Sequence, residues 1–233
     1  MEFTNLKDEM TNVARIAGKV YTKPEKSHQV EGENFYEFKV EVERLSKIAD
    51  IIPVTISERS LLSLNLQVGD FVEVKGEYRS YNKLQDERSK LILHLFAKEI
   101  ERKELQNITP ECFVNEVKLT GFVCKEPVYR KTPFDREICD VLLAVNRANY
   151  HKSDYVPCIM WGRNARFMAS QTTGCKVDLI GRIQSREYIK TMENGEVETK
   201  TAYEVSCQRI SLIANISNLP KPDKQADQGK EII

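Results

Sequence analysis

The stretch that decides the fold begins Asn115-Glu-Val-Lys-Leu-Thr-Gly121, and it echoes an earlier stretch, Asn12-Val-Ala-Arg-Ile-Ala-Gly18. The two lie 103 positions apart. The echo continues along the chain, since Asp50-Ile-Ile-Pro53 returns as Asp154-Tyr-Val-Pro157. A repeat of this kind indicates two copies of one small domain, and 233 residues are enough for two modest cores.

Each copy has the sequence pattern of short strands separated by turn residues. In the second copy, Val156, Cys158 and Met160 alternate with their neighbours, which is the two-residue period of half-buried antiparallel strands. Five strands with a short helix after the third is the layout of the OB-fold. The sequence therefore predicts an all-β protein with short helices, built as two tandem five-stranded OB-fold barrels. The predicted strands are Val114–Val123, Arg136–Asn146, Tyr155–Trp161, Lys176–Tyr188 and Lys200–Leu212, with a helix over Asn164–Ser170 (counterpart Ser60–Leu66) and an Asn-Gly hairpin turn at 193–196.

Three parts follow from the composition along the chain. Pro110 cannot continue a strand ladder, which predicts a joint over Thr109–Phe113. After Ile216 the chain is rich in Pro, Lys, Asp and Gln, which is typical of disorder. We therefore predict an N-terminal OB-fold over residues 1–108, a C-terminal OB-fold over 109–216, and a disordered tail over 217–233.

The charge pattern restricts the function classes. The net charge is zero, with 17 basic against 19 acidic residues up to Pro110 and 18 against 16 afterwards, so any basic surface must be local. The start of the chain lacks the apolar run of a signal peptide, and no segment has the ~18 apolar residues of a membrane span. We expect a soluble cytoplasmic protein with no membrane contact.

The reactive side chains do not form a catalytic or metal-binding pattern. All six cysteines lie in the second half with no CxxC pair or His cluster, which favours reduced core thiols over a zinc site. The three histidines are scattered and no Gly-rich phosphate loop is present. The sequence predicts no enzyme, no metal and no cofactor.

The alternation of apolar with polar or aromatic side chains along two strands indicates a binding surface. If Val156 and Met160 face the core, Tyr155 and Trp161 face outward together. On the next strand the outward set is Arg182, Gln184, Arg186 and Tyr188. Rings alternating with arginines suit single-stranded nucleic acid, because rings stack on any base and guanidinium groups neutralise phosphates. The alternative is that these rings cover a hydrophobic edge or a domain interface.

Together with Asn115–Gly121, three further segments resemble the bacterial single-stranded DNA-binding protein family. They are Leu143-Ala-Val-Asn-Arg147, Asp154-Tyr-Val-Pro-Cys-Ile-Met-Trp161 and Gly181-Arg-Ile-Gln-Ser-Arg-Glu-Tyr188, in the order and spacing of that family. The resemblance spans about residues 114–213, whereas residues 12–102 resemble the family only weakly. It implies sequence-independent binding of single-stranded DNA in replication, recombination or repair.

The resemblance also implies roles for single residues. Those matched to base-stacking positions are Tyr150, Tyr155, Trp161 and Tyr188, and those expected at phosphates are Arg130, Arg147, Arg182 and Arg186, with Lys118 and Arg163 as weaker candidates. In the first copy the corresponding positions hold Ile51, Ser57, Glu77 and Lys83, and only Tyr81 offers an outward ring. We therefore expect the first barrel to pair with another barrel or to bind DNA weakly.

The resemblance further implies an assembly and partners. Family members often assemble four barrels from four chains, so a two-barrel chain is expected to form a homodimer with four OB-folds. Replication or repair proteins are possible partners, although the end of the chain, Gln228-Gly-Lys-Glu-Ile-Ile233, lacks the acidic tip that recruits them in the family. Two alternatives stay open here: a primosomal adaptor with the same fold, and a protein-interaction module that does not bind DNA.

Overall fold

In the computed structural model, residues 11–85, 88–147, 152–191 and 197–213 are described. They form twelve strands, two short α-helices and one 3₁₀ turn, Pro110–Cys112. The first half contains β1 (Asn12–Val20), β2 (Glu25–Val30), β3 (Glu33–Glu43), β4 (Ala49–Ser57), α1 (Glu58–Leu62), β5 (Phe71–Gln85) and β6 (Arg88–Arg102). The second half contains β7 (Val114–Val123), β8 (Val128–Lys131), β9 (Glu137–Asn146), β10 (Ser153–Trp161), α2 (Arg163–Ala169), β11 (Lys176–Thr191) and β12 (Val197–Leu212).

The strands close into two barrels of the same topology. In barrel 1 the order β1–β3–β4–β6–β5 returns to β1, with β4 and β6 parallel and the other pairs antiparallel. In barrel 2 the order β7–β9–β10–β12–β11 returns to β7 in the same way. This confirms the predicted fold class, and β2 and β8 add an edge strand to each barrel that the sequence pattern did not predict.

Glycine allows the strand that follows each helix to bend around its barrel. The ladder shifts register at Gly76 in β5 and at Gly181 in β11. A Cβ atom at Gly76 would lie 2.0 Å from the carbonyl oxygen of Phe96, and one at Gly181 would lie 2.4 Å from that of Ser206. Only a residue without a side chain permits this close approach of two backbones.

The predicted alternation is confirmed in the core of barrel 2. Val156, Cys158, Met160, Leu179 and Ile183 are all buried. Each such side chain stabilises the fold by ~1.5–3 kcal/mol relative to an exposed position. The helix predicted over Asn164–Ser170 is present as α2, whereas that predicted over Ser60–Leu66 begins two residues earlier and ends at Leu62. Ser57 begins it because its hydroxyl accepts a hydrogen bond from the Ser60 backbone N–H.

The two barrels join through a strand pair. Residues 12–17 of β1 pair antiparallel with residues 114–119 of β7, so the twelve strands form one continuous sheet. At the two ends of this pair, Asn12 and Asn115 act alike. The Asn12 side chain donates to the Tyr78 carbonyl and accepts from the Tyr78 N–H, and Asn115 does the same with Ile183.

A matching pair of side-chain contacts crosses the junction. The Asp154 carboxylate of barrel 2 accepts from the Ser80 N–H, and the Ser80 hydroxyl accepts from the Tyr155 N–H. The Asp50 carboxylate of barrel 1 accepts from the Ser185 N–H, and Ser185 accepts from the Ile51 N–H. Because each barrel supplies one aspartate and one serine, the repeat in the sequence becomes a pseudo-twofold arrangement in the structure.

Candidate nucleic-acid interface

The exposed aromatic side chains of barrel 2 include three of those predicted to stack on bases. Tyr155 is 44% exposed, Trp161 is 37% exposed and Tyr188 is 38% exposed. Tyr155 and Trp161 lie on the same side of β10, six residues and thus ~20 Å apart, while Tyr188 lies on β11. Within the described residues, none of the three contacts another aromatic ring. These rings are therefore free to stack on a ligand, and we call the surface that carries them the ring face.

Trp161 borders a concave surface of about 420 Å³. Lys131 and Arg136 line it together with Asp135, Glu137 and Gly162. Lys131 pairs with Asp135 at 2.9 Å, so part of its charge is neutralised. Gly162 has a φ of +52°, a conformation that favours glycine and that turns the chain from β10 into α2 directly after the indole ring.

The arginines expected at phosphates fall into two groups. Arg186 is exposed and has no carboxylate within 4.0 Å among the described residues. Arg130 is half exposed on β8 and pairs with Asp140 at 2.7 Å, and the hydrogen bond to Asp140 raises its pKa. Arg186 thus presents an unneutralised charge two residues from Tyr188, whereas Arg130 already has a partner.

Arg147 and Arg182 lie at the junction of the barrels. Arg147 donates two hydrogen bonds to the Asp154 carboxylate, at 2.9 and 2.6 Å, and a third to the Ser80 carbonyl. Arg182 donates to Asp50 at 3.0 Å and to Gln184 at 2.8 Å. Both side chains are about three-quarters buried. The structure therefore gives these two arginines a bridging position, and their contact with phosphate stays a prediction.

One carboxyl group lies beside Gln184 on this side of barrel 2. Burial raises the pKa of Glu204, and the positive charge of Arg186 lowers it to a smaller extent. Glu204 accepts a hydrogen bond from the Gln184 side chain at 3.1 Å. Glu204 is thus the carboxyl group that lies beside Gln184 and Arg186 on this side of barrel 2.

The remaining candidates are more scattered. Lys118 lies exposed on β7, and Arg163 lies exposed at the start of α2. Tyr150, the Asn-Gly turn at 193–196 and the tail over 217–233 lie outside the described residues. No group of His, Cys, Asp and Glu side chains in the described chain could hold a metal ion, and no helix there is long and apolar enough to cross a membrane.

Tyr81 is not, as the sequence predicted, the only outward ring of barrel 1, because further rings lie on the corresponding face. His28 stacks on Phe35 with centroids 5.1 Å apart, and Phe35 lies 5.9 Å from Phe96. The Arg79 guanidinium lies 3.9 Å above the Phe96 ring, within cation–π distance. Tyr81 lies 5.5 Å from His94. The rings of barrel 1 therefore contact one another, unlike those of the ring face.

The charges around Glu77 in barrel 1 are likewise paired within the barrel. Glu77, which corresponds to Arg182, forms ion pairs with Lys98 and with Arg79, the latter at 2.7 Å. These hydrogen bonds lower the pKa of Glu77 against the opposing effect of its burial. The face of barrel 1 consequently carries a compensated charge network at the positions where barrel 2 carries Arg182 and Gln184.

In a comparison with known protein families, residues 114–213 match the family described as the single-strand binding protein family. Single-stranded DNA-binding protein B of Bacillus subtilis (strain 168) is 33% identical over 118 residues, which are 48% of this chain and 96% of that protein. The single-stranded DNA-binding protein of Enterococcus faecalis (strain ATCC 700802 / V583) is 31% identical over 111 residues, 45% of this chain and 56% of that protein. The chain thus spans little more than half the length of the latter relative.

A solved structure extends the likeness to both barrels. The wild-type single-stranded DNA binding protein from Thermus aquaticus superposes with a TM-score of 0.70 over 92% of this chain and 98% of that chain. The identity is 16%, so this likeness concerns the fold alone. The tandem arrangement of two OB-folds is therefore shared over nearly the full length of both chains.

Proposed function

Because the chain belongs to the single-strand binding protein family, we propose that it binds single-stranded DNA without sequence preference during replication, recombination or repair. One observation carries this proposal. Tyr155, Trp161 and Tyr188 are exposed and free of ring contacts in the described chain. On β10, Val156 and Met160, which alternate with the first two rings, are buried. A protein-interaction module that buried these rings between its own two barrels would not leave them exposed.

Base stacking is the proposed source of most of the binding energy. Each base that stacks on a ring contributes ~1–3 kcal/mol, and every base has a face that can stack. The backbone of β10 holds Tyr155 and Trp161 rigidly because it pairs with β9 over nine consecutive residues. We propose that Tyr150 adds a further stacking ring.

Phosphate contacts are the proposed second component. Arg186 and Arg130 lie on the outer surface of barrel 2, and each neutralised phosphate steepens the fall of log K with log salt by ~0.7 for a single strand. Arg147 and Arg182 also contact phosphates where a phosphate competes with Asp154 or Asp50 for the guanidinium group. Because the proposed contacts are to bases of any kind and to the backbone, no sequence preference is expected.

We propose a division of labour between the predicted domains 1–108 and 109–216. Barrel 2 carries the main binding surface, and barrel 1 pairs with other barrels or binds weakly, since its rings and charges contact one another. We further propose a homodimer with four OB-folds, which light scattering of the intact chain tests directly. The free thiols of the described chain fit a reducing compartment such as the cytoplasm.

Competition binding tests the proposal. Fluorescently labelled oligo-dT is bound by the full chain, and unlabelled oligo-dT, other homopolymers and duplex DNA compete at low and high salt. We expect each single strand to compete effectively, duplex to compete poorly, and binding to weaken with salt. Equal competition by duplex, or no binding of oligo-dT at either salt concentration, would contradict the proposal.

A further inference from the structure

A groove of about 560 Å³ lies between the two barrels, beside the ring face. Barrel 1 lines it with Tyr21, Lys39 and Arg44, and barrel 2 lines it with Arg186 and Tyr203, among others. Its volume falls in the ~300–1,000 Å³ range of ligand sites in proteins. None of the three residues from barrel 1 belongs to the DNA-binding surface proposed above. The groove therefore lies next to that surface and extends onto barrel 1.

The groove is positively charged. Lys39, Arg44 and Arg186 line it against one carboxylate, Glu187. Lys39 is exposed, and like Arg186 it has no carboxylate within 4.0 Å in the part of the chain that the structure describes. The charge of a polyanion would therefore be favoured here.

The buried aspartate behind the groove does not cancel this charge. Asp50 is fully buried and pairs with two guanidinium groups, Arg44 from barrel 1 and Arg182 from barrel 2. One carboxylate between two guanidinium groups leaves one positive charge in excess. The burial of Arg182 lowers its pKa, and the neighbouring charge of Arg44 lowers it further.

Aromatic rings line the same groove. Tyr21 is 52% exposed and Tyr203 is half-buried. A ring beside unpaired cations is the combination that single-stranded nucleic acid requires, because the ring stacks on a base while the cations contact the flanking phosphates. Neither tyrosine makes a ring contact with another described aromatic residue.

The groove continues the ring face. Arg186 and Tyr188 are two residues apart on β11, so their side chains point to the same side of the strand ~7 Å apart. A strand that stacks on Tyr188 and passes Arg186 therefore reaches the groove without leaving the surface of the protein.

The pseudo-twofold arrangement supplies an internal comparison. By the repeat offset of 103 to 105 residues, Tyr21 corresponds to Cys124, Lys39 to Leu142 and Arg186 to Tyr81. Arg44 corresponds to Arg147, which is also a cation, so the extra positive charge on this side of the junction comes from Lys39 and Arg186. Symmetric packing of the barrels gives no reason for this difference, whereas a ligand that crosses the junction on one side does.

We propose that single-stranded DNA bound on the ring face continues through this groove onto barrel 1. Lys39, Arg44 and Arg186 contact its phosphates, and Tyr21 stacks on a base. This inference rests on the proposed function, because it extends the same bound strand. Its distinct content is a contact between the DNA and three named residues of barrel 1.

Photocrosslinking of the full chain tests this contact. An oligo-dT in which thymines are replaced by 5-iododeoxyuridine is bound, irradiated and digested, and the crosslinked peptides are identified by mass spectrometry. In parallel, Lys39→Gln is compared with Lys75→Gln, an exposed lysine of barrel 1 outside the groove whose ion pairs at 3.7 and 3.9 Å contribute little. Trp161 fluorescence reports binding to the ring face in every sample.

We expect a crosslink on the peptide that contains Tyr21. Lys39→Gln should weaken binding about fivefold at 0.1 M salt and reduce the salt slope by ~0.7, while Lys75→Gln should change neither. If DNA quenches Trp161 but no crosslink forms at Tyr21, and the two lysine variants bind with equal affinity, the proposed path through the groove is wrong and the proposed function stands. Absence of quenching together with absence of any crosslink would overturn both.

Discussion

The two barrels share one topology but differ in what their outer faces do with rings and charges. Barrel 1 stacks His28 on Phe35, and its Arg79 covers Phe96. Barrel 2 leaves Trp161 and Tyr188 exposed without ring partners among the described residues. A duplicated fold can therefore keep its core while the aromatic side chains of one copy contact each other and those of the other copy stay without ring partners.

The largest expected effect is on the free energy of unfolding, and it differs between the aspartates that the two barrels contribute to their junction. Asp50→Ala should destabilise the chain by ~3–5 kcal/mol, because it leaves Arg44 and Arg182 partly buried without their shared carboxylate. Asp154→Ala removes the partner of one arginine, Arg147, and should cost less. Urea unfolding measures both changes. Equal losses would show that the second guanidinium on Asp50 contributes nothing.

Ring removal should separate the two faces by affinity. Trp161→Ala should weaken binding of oligo-dT by ~1–3 kcal/mol, which is about 5- to 150-fold. Phe35→Ala, which removes a ring from the cluster of barrel 1, should alter affinity less than threefold while lowering stability, because it removes contacts with His28 and Phe96. Anisotropy titration and thermal unfolding of both variants check this. A larger affinity loss for the barrel 1 variant would reverse the proposed division of labour.

Acidification should act on the barrels in opposite directions. Burial lowers the pKa of His94 in barrel 1 to about 4, so the stability present above pH 6.5 is lost as pH falls toward 4, by at most ~1.4 kcal/mol per pH unit. At the corresponding position of barrel 2, burial raises the pKa of Glu204. Its contribution is fully present below the ordinary pKa of 4.5 and is lost as pH rises through the raised value.

Two variants isolate these contributions. His94→Gln should flatten the loss of stability between pH 6.5 and 4, and Glu204→Gln should remove the loss that accompanies rising pH. Unfolding followed by Trp161 fluorescence reports barrel 2, and circular dichroism reports both barrels. Unchanged pH profiles in both variants would mean that other groups dominate.

The smallest effect concerns single charges. Arg186→Gln should reduce affinity about fivefold at 0.1 M salt and the salt slope by ~0.7, because no described carboxylate neutralises this arginine. Arg79→Gln in barrel 1 should leave the salt slope unchanged, since Glu77 pairs with it at 2.7 Å. Binding isotherms at several salt concentrations give both slopes. Equal slopes would place Arg186 outside the path of the DNA.

Local patterns in the sequence predicted what depends on neighbours along one strand. The alternation around Val156 and Met160 predicted the exposed side of β10, and the structure confirms that these two side chains are buried. Phe38, Val40 and Val42 alternate in phase with Tyr36, which leaves Phe35 on the outer side of β3, but nothing along this strand shows which rings of other strands lie beside it. The ring cluster of barrel 1 was missed for that reason.

Contacts between the barrels could not be predicted from the sequence. Arg147 bonds to the Ser80 carbonyl, 67 residues away, and Arg182 pairs with Asp50, 132 residues away. Nothing in a single strand's pattern distinguishes such an arginine from one that faces a ligand. The groove lined by Lys39 and Arg186 likewise exists only once the two barrels are joined.

A tryptophan placed on either barrel distinguishes which of them carries the main stacking surface. Trp161→Phe removes the only tryptophan and keeps a ring, and Tyr188→Trp or Lys83→Trp then places one probe at related exposed positions of β11 or β5. Upon titration with oligo-dT we expect strong quenching of the probe at 188 and little change of the probe at 83 at the same concentrations. Equal quenching of both probes would contradict the account, because it would place DNA on the two barrels alike.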